Sequence, residues 1–572
     1  MTREQTKFRQ REERAQRLQA ILDSKAKKKM IVAGAGTGKT FTFGKLLEKR
    51  AGGNNLAMTF IRKLVADMQA TLAENAEVKT FHAYCKKILH AQNGKVELVP
   101  YLTRIIEKDA ELLGKSLADF DAKIRALQED SPEIVFYLRR GDYYEVVGFD
   151  DSVYRLYKEI QKDPSILPSF DQIVIDEFQD FNSLEVAFIG ELARKGRILI
   201  VGDDDQAVYD DRSASPSHLR NLFASGDFET FELPFCSRCP EVIVDATNCI
   251  VETAKALGHF RGRIRKRYEC YLDDKETDSL KYPKIILANC TLAKVIPKYL
   301  QREIGRIDRK DIAESNKEGR EYTTVLIVGT RQYLREVEKH LRQFHPRLSY
   351  TPSQAVGYGI VEAYECLLRD EESNLGWRIL AEVFCDSASL KQLVASSEKR
   401  TPMVKLLAPG FVSKHTRGIE LIRAIQDQTQ RVKAVKAELT KLLGNHAEVA
   451  IAFFTPKEEE EQPTIDKTLP TILLTSYKGC KGLSAGHVFI VGVHNGSIPK
   501  DAGDIKDVEI SQFIVALTRT RKQCHIVSND WLVAPVDRDG KYIPRFESSP
   551  FVRWIPKNLV EDRGKLAAKD LK

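Results

Sequence analysis

The stretch Ile31-Val-Ala-Gly-Ala-Gly-Thr-Gly-Lys-Thr40 decides the fold. A short apolar run feeds a glycine-rich loop, and Gly38-Lys39-Thr40 opens a segment expected to be helical from Phe41 to Arg50. Gly34, Gly36 and Gly38 carry no side chain, so the backbone N–H groups around them can turn inward on an anion. The N-terminus of the following helix adds the positive end of its dipole. At this spacing Lys39 reaches the β- and γ-phosphates of a nucleotide, and the Thr40 hydroxyl is a ligand for Mg²⁺. Ala33 stands where the strict pattern has glycine, and Ala35 and Thr37 complete the loop.

Working outward, the alternation of strand and helix continues. Leu56-Ala-Met-Thr-Phe60 and Val78-Lys-Thr-Phe-His82 are compact apolar runs, each followed by helical sequence. Ile173-Val-Ile-Asp-Glu-Phe-Gln-Asp180 is an apolar strand that runs into adjacent carboxylates. Beside a phosphate loop the two have separate tasks: Asp176 holds Mg²⁺ and Glu177 polarises an attacking water. A further strand, Ile198 to Gly202, leads to Asp203-Asp-Asp-Gln206. The neutral amide of Gln206 can sense a γ-phosphate without repelling it. Arg238, in Leu233-Pro-Phe-Cys-Ser-Arg238, is a candidate to stabilise charge on a transferring phosphoryl group. Strands alternating with helices point to a parallel sheet covered on both faces.

A second strand–helix series starts at Lys284-Ile-Ile-Leu-Ala288 and continues at Thr324 to Gly329. It resumes at Thr471 to Thr475, Val488 to Val491 and His525 to Val527. Two helix-rich segments interrupt the two series. The expected layout is a first α/β domain over 1–90 and 165–245 with an insertion at 91–164. A second follows over 246–345 and 466–572 with an insertion at 346–465, and Lys457 to Pro463 reads as a polar linker. In the N-terminal helix Gln16 or Gln19 can read an adenine edge, or the helix presents a solvated face. The tyrosines at 137, 143, 144, 154 and 157 read more readily as core than as a base-stacking surface. The basic run Arg261 to Arg267 reads equally as a phosphate-tracking patch or a solvated face.

With 572 residues, 42% hydrophobic and 30% charged, the chain is of the soluble globular kind, long enough for several cores. No apolar run is long enough to cross a bilayer and the first ten residues lack a signal-peptide core, so a cytoplasmic location without membrane association is expected. The net charge of +8 permits nucleic-acid binding without requiring it. Of ten cysteines only Cys236 and Cys239 form a C-x-x-C, and no second pair stands at zinc spacing, so reduced thiols are expected.

The ordered set Ala33 to Thr40, Thr59-Phe60, Thr80-Phe-His82, Asp176 to Asp180, Gly202 to Gln206, Arg238, Lys481-Gly-Leu483 and Thr518-Arg519 resembles the UvrD/Rep group of superfamily 1 DNA helicases over nearly the whole chain. The resemblance implies an α/β fold of two RecA-like parallel-sheet domains of the P-loop NTPase kind, each interrupted by a mainly helical accessory insertion. It implies an ATP-driven translocase moving 3′→5′ on single-stranded or tailed duplex DNA. Lys39, Thr40 and Asp176 would hold ATP and Mg²⁺, with Gln16 on the nucleotide. Glu177 would activate water, and Gln206, Arg238 and Arg519 would contact the γ-phosphate. Thr59, Phe60, Arg62, Thr80, Phe81, His82, Tyr209 and Arg212 would line the DNA path.

Three positions depart from the family's pattern. Asp211 stands where a tryptophan usually stacks on a DNA base, Ser237 where a tyrosine packs on adenine, and Ser484 where a glutamate binds ribose. The hydrolytic set is complete while base stacking is reduced, which predicts relaxed nucleotide choice. The insertions are short for strong unwinding. A second reading is therefore a DNA- and nucleotide-sensing subunit controlling a partner nuclease in phage defence or repair. An RNA helicase is a third, with nothing that selects for the 2′-OH.

Overall fold

The computed structural model describes residues 2–571 except 60–64, 66, 67, 70, 71, 95, 129, 130, 318–321, 351–356, 428–431, 457–465 and 534–542. Phe60, Arg62 and the linker expected at Lys457 to Pro463 lie outside the described residues. The chain divides into two compact units. One comprises Met1–Phe81, Leu167–Ser353 and Asp466–Lys572, and the other His82–Ile166 and Gln354–Ile465.

The first unit holds two parallel sheets. Strands β1 (Lys28–Val32), β2 (Asn55–Thr59), β3 (Glu77–Thr80), β4 (Phe170–Ile175), β5 (Gly196–Gly202) and β6 (Glu229–Glu232) form one. Their spatial order is β3-β2-β4-β5-β1-β6. Met30, Ile31 and Val32 are buried, as are Leu56 to Met58 and Ile173 to Ile175. Burial on both faces is why these strands read as continuous apolar runs rather than alternating ones. Phe43, Leu46 and Leu47, on the helix Lys39–Glu48, pack with Ile31, Val174, Leu199 and Val201. That helix starts two residues earlier than expected because Gly38, at φ +87°, turns the chain straight into it.

The second sheet contains β7 (Ile285–Leu292), β8 (Thr323–Val328), β9 (Leu348–Tyr350), β10 (Ile472–Thr475), β11 (Ala485–Val491), β12 (Thr520–Trp531) and β13 (Val560–Leu566). The order is β9-β10-β8-β11-β12-β7-β13, with every pair parallel. Each sheet, with the helices around it, forms one lobe of the unit, and the chain passes from the first lobe to the second through Leu233–Pro240.

The second unit is mainly helical, as the sequence of both insertions suggested, and the two insertions pack together in it. Asp109 is its polar centre. Arg140 Nε donates to Asp109 Oδ2 at 2.9 Å, and Arg378, from the other insertion, donates to Oδ1 at 2.8 Å. All three are buried. Tyr137, Tyr143, Tyr144 and Tyr154 are core residues here, with the Tyr144 hydroxyl on Asp109 and that of Tyr143 on the Thr401 carbonyl. The segment 419–443 falls in two helices, Pro409–Gln426 and Val432–Leu443.

Candidate active site

The C-terminal ends of β1, β4 and β5 meet at one cavity. β1 delivers the glycine-rich loop. Gly36 and Gly38 both hold positive φ, +69° and +87°, where a side chain would be strained. Close packing forbids side chains there as well. A Cβ on Gly34 would come within 2.6 Å of the Tyr268 ring, and one on Gly36 would overlap Arg238 Cβ. Lys39 curls back along the loop, its Nζ donating to the carbonyls of Ala33 at 3.1 Å and Gly34 at 3.3 Å.

β4 ends in Asp176 and Glu177, both buried. Asp176 Oδ1 accepts the Glu177 amide at 2.9 Å. Glu177 sits at φ +55°, ψ +43°, a costly conformation for a residue with a Cβ. Burial and the Glu177 charge raise the Asp176 carboxyl to about 7. For Glu177, burial is outweighed by Lys481 and Lys39, which hold it well below the usual carboxylate range. Glu177 therefore stays charged.

β5 ends at Gly202 and leads to Gln206. Its Oε1 accepts from Arg519 Nη2 at 3.0 Å, and Arg519 follows the helix Asp507–Leu517 of the second lobe. Arg519 is 3% exposed, and burial together with the charge of Arg238 lowers it to about 10. Two guanidinium groups placed to repel each other mark a space built for an anion. A line of side-chain bonds joins Glu177 to Arg519. Gln179 Nε2 donates to Glu177 Oε2, Gln179 Oε1 accepts the Asp203 amide at 2.9 Å, and Asp203 Oδ2 accepts Gln206 Nε2. Lys481, also from the second lobe, bonds Asp180 and the Gln206 carbonyl (2.7 Å) and lies 3.6 Å from Glu177.

The resulting cavity has a volume of about 270 Å³. Ala35 to Thr40, Asp176, Glu177, Gln206, Ser237, Arg238, Gly482, Arg519 and Arg521 wall it. Among the described residues Arg238 Nε, buried there, has no hydrogen-bond partner. An orphaned guanidinium nitrogen and a glycine cradle fit a triphosphate. The Thr40 hydroxyl and the Asp176 carboxylate on the same wall are the hard oxygen donors that Mg²⁺ takes. Of the residues expected on the nucleotide, Lys39, Thr40, Glu177, Gln206, Arg238 and Arg519 thus come together. Gln16 does not. It is exposed on the helix Arg3–Asp23, while the neighbouring hollow takes Arg14, Arg17, Leu18 and the half-exposed Phe41 from the elements around it. Gln10 is the buried amide of that helix, and its bonds go to Cys270 and Leu272.

The expected DNA-path residues divide. Thr59 and Phe81 are fully buried, Phe81 against Phe181 and Phe188, so their side chains support the strand ends and cannot meet a polymer. Thr80, Tyr209 and Arg212 are half-buried. His82 is in the helical unit, its ring 5.1 Å from that of Phe149. Asp211 pairs with Lys478 at 2.7 Å. The basic run is not a phosphate-tracking patch at Arg263 and Lys266. Lys266 is buried against Asp203, Asp204 and Asp205 at 2.8, 2.6 and 2.9 Å, and Arg263 also holds Asp205. Sequence reasoning gave no role to Gln179, Asp203 or Lys481. The only signal for them was their place within the quoted motifs.

This is the site of a two-lobed P-loop nucleotide hydrolase. Residues 16–212 match the AAA domain family. Over 93% of its length the chain is 24% identical to DNA helicase II of Haemophilus influenzae, covering 85% of that protein. It is 23% identical to ATP-dependent DNA helicase UvrD1 of Mycobacterium bovis over 93% of the chain and 84% of the relative. DNA helicase II of Escherichia coli is 22% identical over 86% and 81%. Over most of its length the chain is thus similar to DNA helicases of the UvrD kind.

Proposed function

We propose that this chain is an ATP-dependent DNA helicase that hydrolyses ATP with Mg²⁺ between its two lobes and moves 3′→5′ along single-stranded DNA. The observation that carries the reading is the 3.0 Å contact between Gln206 and Arg519 on the cavity that also holds the Lys39 loop. The loop amides and Lys39 bind the triphosphate. Bound at Thr40 and Asp176, Mg²⁺ would neutralise charge on the phosphates. Glu177, charged and held by Gln179, takes the proton of the attacking water. Arg238 and Arg519 stabilise the phosphoryl group in transfer. Because Arg519 and Lys481 belong to the second lobe, loss of the γ-phosphate removes a link between the lobes, which is how hydrolysis becomes movement.

The hollow beside Phe41 and Arg14 would take the base, with the Arg14 guanidinium 3.0 Å from Ser237 Oγ. Ser237 and Ser484, in place of the family's tyrosine and glutamate, leave nucleotide choice relaxed. Thr80, Tyr209 and Arg212 are the remaining candidates for DNA contact among the described residues. The nuclease-controlling reading is not favoured, since the matched relatives are named as helicases across most of their length. Purified protein decides the matter in a strand-displacement assay. ATP turnover should rise at least about tenfold with single-stranded DNA, and 3′-tailed duplexes should be opened in preference to 5′-tailed ones. Turnover indifferent to DNA would overturn the proposal.

A further inference from the structure

The connection between the lobes carries a chemistry that ATP hydrolysis does not use. Leu233–Pro240 contains Cys236-Ser-Arg-Cys239, so a C-x-x-C brackets Arg238, the residue that reaches the cavity. The two cysteines are fully buried. The Cys239 amide donates to Cys236 Sγ at 3.3 Å, and the Tyr268 hydroxyl lies 3.4 Å from the same sulfur and 3.0 Å from the Ala35 carbonyl oxygen. Cys239 Sγ donates to the Thr518 carbonyl of the second lobe at 3.3 Å. Burial opposes a charge on Cys236. The bonds from Cys239, Tyr268 and the amides of 238 and 239 outweigh it and lower the thiol to about 6. Cys239 is raised by burial and by Cys236. A thiol whose titration is lowered thus sits beside one whose titration is raised. Cys236 Sγ packs against the loop at Gly36, where an added Cβ would lie 3.2 Å from it, and Gly36 walls the cavity.

We propose that Cys236 and Cys239 are a peroxide-sensitive pair whose disulfide turns the ATP site off. The Cys236 thiolate attacks hydrogen peroxide, the O–O bond breaks, and a sulfenic acid and hydroxide result. The hydroxide takes the Cys239 proton to give water. The Cys239 thiolate then attacks the sulfenic sulfur, forming the S–S bond and expelling a second hydroxide. Two thiols are oxidised and one peroxide is reduced. Bringing the sulfurs to about 2.0 Å tightens the turn that carries Ser237 and Arg238. It also takes Cys239 off the Thr518 carbonyl, next to Arg519. Both γ-phosphate arginines are displaced by one bond. Only this loss of turnover rests on the nucleotide reading; the disulfide does not.

Trypsin cleaves after Arg238, between the cysteines, so a disulfide ties together two peptides, 221–238 and 239–255, that otherwise separate. The full chain is treated with hydrogen peroxide, alkylated and digested without reduction. The linked pair should appear, disappear with dithiothreitol, and be missing from Cys239→Ala and Cys236→Ser. ATP turnover of the wild-type should fall at least about tenfold in step with the linkage and recover on reduction, the size expected when a phosphoryl-stabilising donor is displaced. Cys239→Ala should keep its turnover under peroxide. Absence of the linked pair from the oxidised wild-type protein overturns the proposal, as does full linkage with unchanged turnover. If untreated protein hydrolyses no ATP, the nucleotide reading fails, while the linked peptide still decides whether the disulfide forms.

Discussion

Two seams in this molecule are built from similar side chains and differ in what they leave between them. In the helical unit, Asp109 sits between Arg140 and Arg378, Tyr144 adds its hydroxyl, and Glu382 takes the far side of Arg378. In the nucleotide unit, Arg519 and Lys481 cross from the second lobe to the first. Arg519 settles on the neutral amide of Gln206, and among the described residues Arg238 Nε has no partner. About 270 Å³ stays open beside them. Carboxylate against guanidinium makes a seam that holds. Two guanidinium groups near each other, one of them resting on a neutral amide, make one that waits for an anion.

The contrast can be broken by mutation. Glu177→Gln should bind ATP and lower its turnover at least about 100-fold, because it removes the one carboxylate in the cavity kept ionised by its neighbours. A rapid-quench assay reads this, and near-normal turnover would take the proton-accepting role from Glu177. Asp109→Asn acts on the other seam. It leaves two buried guanidinium groups facing a neutral amide, at a cost of about 3–5 kcal/mol. Thermal unfolding should show a lowered transition, while Lys39 and Arg519 remain placed as before.

Acid sharpens the comparison further. His415 in the helical unit is buried among Tyr364, Phe384 and Phe411, and burial together with Lys414 lowers it to about 4. Between the ordinary value near 6.5 and about 4, the unfolded chain binds a proton that the folded one refuses. The stability contributed by the neutral ring is therefore complete above 6.5 and is lost as pH falls through that window, by up to about 3 kcal/mol. His415→Gln, which keeps a partner for the Tyr364 hydroxyl, should flatten the dependence of unfolding temperature on pH. An unaltered slope would show that other groups set it. The smallest effect is expected from Gln16→Ala. The residue is exposed and outside both hollows, so KM for ATP should change less than about twofold.

These contrasts follow how far the sequence could be read. Contiguous pieces were legible: Gly34 to Thr40, and Asp176-Glu177 at the end of an apolar strand, since each motif is local and its geometry is fixed by a few glycines or one strand end. Gln206 was legible as a neutral amide just beyond a strand end, whereas Arg519 required the family pattern, because it has no local signature. Asp109, Arg140 and Arg378 were invisible, because charged residues 31 and 269 positions apart leave no periodicity. The tyrosines around them were read as core, and that burial is what makes the ion cluster dry. β13 was missed because Val560 to Leu566 is mostly polar and half-exposed at a sheet edge. The basic run Arg261 to Arg267 was ambiguous for the opposite reason, since its partners at Asp203 to Asp205 lie far away in sequence.

The central claim is that the second lobe completes the catalytic cavity through Arg519. Arg519→Ala tests it most directly when nucleotide affinity and turnover are measured on the same preparation. Affinity for ATP should stay within a few-fold of wild-type, because the loop and Lys39 are untouched, while kcat falls at least about 100-fold. Turnover within a few-fold of wild-type, at unchanged affinity, would contradict the account.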